Sequence, residues 1–367
     1  MLNRDKARGH LTLMANYFAP DALFTNHFCR RFRMRKTVFD RLYHGVRSYD
    51  DYFILKDAVG TIGFSGYQKC RPALRMLAYG TAADSWDEYL RMSESTCGDA
   101  MVRFATAVVE VFGPQYLREP TVADTERLLA ISEARGWPGL LGSLDCMHWK
   151  WKNCPKALQG QYQGHVKKPT IILEAVASHD LWIWHAFFGM PGSHNDINVL
   201  QRSPLFARLT EGKAPPCHYT VNGHEYNMGY YLVDGIYPPW ATFVSTISNP
   251  VGQKKAHFAQ RQEAARKDVE RAFGVLQARF AVVRGPAKQW DPETLWEVMT
   301  CCVIMHNMIV EDEGDADAAA LEFENMGDPI QLPDQNPATF EEFIQMHQQI
   351  RHRPTHEKLK EDLFEHL

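Results

Sequence analysis

The chain has 367 residues, of which 45% are hydrophobic and 23% are charged, and its formal net charge is −4. That length gives room for one large domain or two ordinary ones with a sizeable core, and the composition is that of a soluble globular protein. The mild charge excludes a strongly basic protein, so any contact with DNA must come from local patches, and no apolar run reaches the ~20 residues that a membrane span requires.

The first ~125 residues predict helices. Val38-Phe39, Leu42-Tyr43 and Val46 recur at helical spacing, and Ser93-Glu-Ser-Thr96 offers N-cap side chains before another apolar helical face. Two helices around a short Ser/Thr turn resemble a helix-turn-helix, although any helical bundle contains such joints. We therefore assign residues 1–128 to a helical N-terminal domain with a candidate helix-turn-helix.

From about residue 138 the sequence becomes rich in branched and aromatic residues, which favours strands. Strands are predicted over Gly139–Trp151, Thr170–Ser178 and Leu181–Phe188, followed later by Tyr230–Val233. Only His179-Asp180 separates the second strand from the third, which predicts an antiparallel hairpin. Between the third and fourth strands, Ser193–Asp196 offers caps for a short helix.

Two carboxylates end apolar runs, and a third lies on a later helix. Asp145 follows Gly139–Leu144, Asp234 follows Tyr230–Val233, and Glu270 lies at the edge of the apolar stripe of a helix predicted over about Gln260–Phe280. Mg²⁺ prefers oxygen ligands, and two such ions ~4 Å apart can stabilise both the attacking and the leaving oxygen of a phosphoryl transfer. The three acids therefore predict a site for two divalent cations.

The order of three strands, a helix, a strand and a carboxylate-bearing helix predicts an RNase H-like α/β domain over residues 129–312. Asp291-Pro292 opens a last long helix, with the cap and the first-turn proline in their preferred places. Residues Glu311–Asp328 then hold eight acids and no Lys, Arg or His. We predict that residues 313–367 form an acidic linker followed by a helical tail.

Several long segments resemble transposases of the PIF/Harbinger superfamily, and within it the Pong/Ping-like plant transposon proteins. The resemblance covers most of the chain and is carried by Gly142–Pro155, Leu173–Ser178, Leu181–Gly189, Asn195–Leu200, Asn227–Pro238 and Ala265–Phe280. Segments of this length are far more specific than a short motif.

The resemblance implies an RNase H-like DDE endonuclease that cuts DNA at terminal inverted repeats and joins the element to target DNA. The acid triad of the family corresponds to Asp145, Asp234 and Glu270, with two Mg²⁺ ions as cofactors, for which Mn²⁺ substitutes. Such elements encode a second, Myb-like DNA-binding protein that acts with the transposase. A nuclear location, a homodimer that pairs transposon ends, and no membrane association are the further expectations.

Some alternatives stay open. Asp196 follows a strand and competes for the role of second acid, although a supporting or capping role fits it better. Cations near the acids are candidate contacts for DNA phosphates, or simply exposed charges: Lys150, Lys152, Arg266, Lys267, Arg271 and Arg279. The alternative function is a domesticated, catalytically silent relative that serves as a nuclear interaction protein.

Overall fold

The computed structural model describes residues 5–54, 63–86, 91–164, 167–211, 217–318 and 340–367. The chain forms two compact units, each made of three chain segments. The first comprises Met1–Leu117, Trp149–Gly160 and Gly274–Glu322, and the second comprises Arg118–His148, Gln161–Phe273 and Phe323–Leu367. No described helix is long and apolar enough to cross a membrane. The domain boundaries predicted at 128 and 312 stay predictions.

The described elements up to Ala134 are helical, and all strands follow between residues 140 and 245, with helices among and after them. The described helices are α1 (Lys6–Leu13), α2 (Phe28–Phe32), α3 (Lys36–Tyr49), α4 (Gly66–Tyr79), α5 (Glu94–Tyr116), α6 (Val122–Ala134), α7 (Lys156–Tyr162), α8 (Asp196–Arg202), α9 (Pro204–Thr210), α10 (Gln253–Arg279), α11 (Ala281–Arg284), α12 (Pro292–Ala318), α13 (Phe340–Ile350) and α14 (Arg353–His366). The described strands are β1 (Leu140–Lys150), β2 (Thr170–Ala177), β3 (Ile183–Pro191), β4 (Tyr219–Val221), β5 (His224–Tyr226), β6 (Tyr230–Val233) and β7 (Phe243–Ser245).

The first unit is centred on helix α5, which packs against α3, α4 and α12. The predicted apolar stripe of α3, from Val38 to Val46, is buried. Ser93 caps α5 as predicted, because its hydroxyl accepts the amide of Thr96 at 3.3 Å. Residues 80–93 connect α4 to α5, and 87–90 lie outside the described residues, so the helix-turn-helix stays a prediction.

The second unit is built on a five-stranded mixed sheet with the strand order β3-β2-β1-β6-β7. Strands β2 and β3 pair antiparallel, which confirms the predicted hairpin. Strand β6 pairs in parallel with β1 on one side and with β7 on the other. Parallel strands need crossover connections, and helices α8 and α9 lie in the connection between β3 and β6. The predicted α/β class is confirmed.

Both faces of strand β6 are buried, because its side chains alternate between two apolar clusters. Tyr231 and Val233 join one cluster with Leu144 of β1 and residues of α8 and α9. Tyr230 and Leu232 join the other with Phe258 of α10. A central strand covered on both sides is expected to read as a continuous apolar run, as this one does.

Two short elements were not predicted. Strands β4 and β5 form a hairpin whose turn residues, Asn222 and Gly223, have positive φ values of 49° and 79°. Asn-Gly at such a turn is a strong hairpin signal. Strand β7 has only three residues, too few for a visible period.

The C-terminal tail forms two helices, α13 and α14, that are part of the second unit. Ile350 packs in one apolar cluster of the sheet, while Leu359 and Leu363 pack in the other. The Asp362 carboxylate accepts the hydroxyl of Tyr226 on β5 at 2.5 Å. Both helices fall within the region predicted as a linker and helical tail, residues 313–367, which stays a prediction as a separate segment. Most of the predicted linker, residues 319–339, lies outside the described residues.

Replacement of Leu363 by alanine should destabilise the protein by about 2–5 kcal/mol, because the side chain is fully buried and its loss leaves a cavity. The matched control is Glu361→Ala, an exposed position on the same helix. Urea unfolding measures both variants. If the two variants were equally stable, the C-terminal helix would not contribute to the apolar core as we infer.

Candidate active site

Asp145 and Asp234 lie side by side on the parallel pair β1–β6. Ser143 is opposite Leu232 in the register. Asp145 lies two residues further along β1, and Asp234 directly follows Val233, the last residue of β6. Asp145 accepts the amide of Cys146 at 2.8 Å, and Asp234 accepts the amide of Ile236 at 2.9 Å, where the chain turns after β6. The pairing therefore brings together two acids that are 89 positions apart in the sequence.

Asp145 lies within β1, which continues past it to Lys150, close to the predicted bound at Trp151. Trp149 near the end of the strand and Trp151 just after it are buried. The indole nitrogens of Trp149 and Trp151 donate to the carbonyls of Gly285 and Gln289, both at 2.8 Å. Both indoles are buried, so these two side chains pack in the protein interior.

Asp196, the first residue of α8, belongs to the same acidic group. The pKa of Asp145 is raised to about 6, chiefly by burial and also by the charges of Asp196 and Asp234, while the amide of Cys146 and the cation of Arg266 lower it. The pKa of Asp196 is also raised, first by burial and then by Asp234. Three carboxylates thus share one partly desolvated region, where repulsion disfavours their ionised forms.

Glu270 is connected to this group through Arg266, one turn earlier on α10. Nη1 of Arg266 lies 3.0 Å from Oε1 of Glu270 and 3.6 Å from Oδ2 of Asp145. Nη2 of the same side chain lies 3.4 Å from Oε2 of Glu263. The structure therefore places a guanidinium group between the first and the third predicted acid.

The donor set suits Mg²⁺ or Mn²⁺ in its chemistry. It consists of carboxylate oxygens, which hard divalent cations prefer, and Mg²⁺ needs only one or two carboxylates because it keeps several waters. A divalent cation would also relieve the repulsion that raises the pKa of Asp145. Among the described residues, no three His, Cys, Asp or Glu side chains are already arranged to hold an ion. Arg266 instead pairs with Asp145 and Glu270.

A buried polar group behind the acids was not predicted. Glu174 of β2 is fully buried, and its Oε2 lies 3.0 Å from Nε2 of His185 on β3. The hydroxyl of Ser203 lies 3.1 Å from the same Nε2. Because both partners meet one nitrogen and Ser203 is itself buried, this group supports the fold and is not a nucleophile with its base. The available signal was a charged residue within the apolar run Ile171–Ala177.

The six candidate DNA-binding cations differ in their surroundings. Lys150, Lys152 and Lys267 are exposed. Arg271 pairs with Asp268 at 2.8 Å, and Arg279 contacts His306 and forms an ion pair with Glu313. Together with Arg266, these arginines already have carboxylate partners, so the three lysines are the freer candidates. Their contact with DNA stays a prediction.

The sequence profile of the plant transposon protein family matches residues 114–317, more than half of the chain. The chain belongs to this family. A second profile, described only as a domain of unknown function, matches residues 9–47 of this plant transposon protein.

Two curated relatives agree with the family. The chain is 25% identical over 257 residues to "Protein ALP1-like" of Arabidopsis thaliana, a match that covers 66% of this chain and 60% of that protein. It is 22% identical over 245 residues to "Putative nuclease HARBI1" of Homo sapiens, covering 65% of this chain and 66% of the relative. The matched regions thus span less than two thirds of these relatives. No solved structure matches the chain significantly. The predicted PIF/Harbinger relationship is confirmed.

Replacement of Asp145 by asparagine should stabilise the metal-free protein at neutral pH. The folded state keeps the Asp145 proton up to about pH 6, whereas the unfolded chain loses it near pH ~4, so the wild-type free energy of unfolding falls as the pH rises between these values. Asparagine carries no such penalty. We expect the variant to gain about 1–3 kcal/mol above pH ~6 and almost nothing below pH ~4.

Urea unfolding in the presence of EDTA, at a series of pH values, measures this difference. A gain of equal size at every pH would contradict a raised pKa for Asp145.

Proposed function

We propose that this plant transposon protein is a DDE-type DNA endonuclease and strand transferase that acts on transposon ends. The observation that carries the proposal is the side-by-side position of Asp145 and Asp234 on β1 and β6, with Glu270 held near Asp145 through Arg266. Acids from three distant chain segments thus face one region of the second unit.

The order of the elements supports an RNase H-like domain. Strands β1, β2 and β3 are followed by helices, by β6, and by the long helix α10 that carries Glu270. This is the succession predicted from the sequence, with the hairpin β4–β5 and the strand β7 added to it. The helices of residues 6–116 would then form the predicted N-terminal helical domain.

In this proposal, Asp145, Asp234 and Glu270 hold two Mg²⁺ ions, and Asp196 lies close enough to assist. Bound Mg²⁺ would activate a water or a DNA 3′-hydroxyl and stabilise the leaving oxygen. The chain itself positions the acids: Asp145 lies on β1 and Asp234 directly follows β6, and apolar clusters on both faces hold these two strands in place. Lys267 is exposed on the same helix as Glu270, and in this proposal it would contact a DNA phosphate.

The proposed partners are DNA and a Myb-like DNA-binding companion, with a homodimer that pairs two ends in the nucleus. The mild net charge supports dependence on a companion for sequence recognition, because cations give affinity for the backbone but do not read bases. Cleavage of DNA that carries the inverted repeats would favour this function over that of a silent, domesticated interaction protein.

Each of Asp145→Asn, Asp234→Asn and Glu270→Gln should reduce Mn²⁺-dependent cleavage at least ~100-fold, since even residues that only support metal ligands commonly contribute 10–100-fold. DNA binding in EDTA should be largely preserved, because no phosphate contact is removed. A plasmid carrying the inverted repeats that flank the coding locus is the substrate, and one without repeats is its control. Fluorescence anisotropy measures binding.

The matched control variant is Glu263→Gln, which loses another carboxylate partner of Arg266 on the same helix. It should cleave at nearly the wild-type rate. Full activity in all three acid variants would reject the assigned site, while equal cleavage of both plasmids would indicate a general nuclease.

A further inference from the structure

Arg266 is enclosed by acids and largely buried. Its side chain is 13% exposed, and it faces Asp145, Glu263 and Glu270 at 3.0–3.6 Å. A single nitrogen, Nη1, serves both Asp145 of β1 and Glu270 of α10. Arginine keeps its charge at every physiological pH, so this positive charge is permanent.

Nη1 of Arg266 lies between the carboxylates of Asp145 and Glu270, where a cation that bridges the two acids would also be stabilised. Nη1 of Arg266 lies 3.6 Å from Oδ2 of Asp145 and 3.0 Å from Oε1 of Glu270, so its positive charge offsets the charges of both carboxylates. A divalent cation shared by Asp145 and Glu270 would offset them in the same way. The two cations cannot lie between the same two oxygens, because like charges at such distances repel.

Arg266 is held by its terminal nitrogens and not by its Nε. That nitrogen is buried and has no hydrogen-bond acceptor among the described residues. A guanidinium whose third donor direction is unused is less firmly fixed than a fully bonded one. We do not assign Glu263 to the metal. The ion pair of Arg266 with Glu263 can therefore remain after the pairs with Asp145 and Glu270 break.

We propose that Arg266 is a positioning residue that takes the place of the metal: it holds Asp145 and Glu270 together in the metal-free protein and gives way when Mg²⁺ or Mn²⁺ binds. This inference rests on the proposed function. It assigns Arg266 to the carboxylates and not, in the metal-free state, to DNA phosphates. A purely structural helix pair of Arg266 with Glu270 would leave metal affinity unchanged when Arg266 is lost.

The test is a calorimetric titration of the full-length protein with Mn²⁺ at pH 8, where Asp145 is ionised. Arg266→Gln removes the competing cation, so Mn²⁺ should bind about three- to tenfold more tightly, as expected for the loss of two partly exposed ion pairs. Arg266→Lys keeps a charge and should stay within about twofold of the wild type. The melting temperature of the metal-free Arg266→Gln protein should fall by about 2–4 °C and recover when Mn²⁺ is added.

The matched control is Arg271→Gln, on the same helix and paired with Asp268. It removes one positive charge from the same region but none from between the acids, so it should not change Mn²⁺ affinity. If Mn²⁺ bound equally more tightly to Arg271→Gln and to Arg266→Gln, the loss of any positive charge would explain the change. That outcome would overturn the inference. Unchanged or weaker binding by Arg266→Gln, with a normal wild type, would overturn it as well.

The failure of the proposed function gives a different result. In that case the wild type binds no Mn²⁺, or Asp145→Asn and Glu270→Gln bind it as well as the wild type does. Either outcome removes the metal site itself, whereas the outcomes above concern only the role of Arg266.

Discussion

The parallel pairing of β1 with β6 is the constraint on which the candidate site depends. It sets Asp145 and Asp234 at the same level of the sheet, although 88 residues separate them in the chain. Because side chains alternate between faces, a shift of one residue in this register would point one acid to the opposite side. The apolar clusters on the two faces of β6 oppose such a shift, since it would exchange Tyr230 and Leu232 with Tyr231 and Val233. Core packing thus determines the geometry of the acids.

The same packing also disfavours the ionised forms of the carboxylates in the candidate site. Asp145 on β1 and Asp196 at the start of α8 are both partly removed from water, and the pKa of each carboxyl rises as a result. The ionised forms are then tolerated only if a cation is near, and Arg266 is the cation that the chain itself provides. Proteins commonly keep unfavourable charge arrangements where function needs them. A site of this kind is less stable than its surroundings until it binds its ligand.

The sequence was sufficient for the elements that have a clear period or a long apolar run, such as α3, the hairpin β2–β3 and strand β6. It also placed the acids on the elements that bring them together. It predicted that this strand continues to Trp151, but it could not show that the indoles of Trp149 and Trp151 bond to carbonyls of residues 285 and 289, which lie far away in the sequence. Nor could it place Arg266 between two acids. An arginine one turn before a glutamate predicts a helix pair, and only the tertiary fold adds Asp145 to it.

The support for the site extends beyond the region that defines the family. The family match ends at residue 317, yet Ile350, Leu359 and Leu363 pack in the apolar clusters that cover the two faces of the sheet. His356 lies within hydrogen-bond distance of the carbonyls of Trp240 and Phe243, next to the edge strand β7. An edge strand presents unpaired backbone groups, and a covering helix is one way in which proteins protect it. The tail contributes no acid to the site, but it helps to fix the sheet from which Asp145 and Asp234 project, and their spacing therefore depends on residues more than 100 positions away.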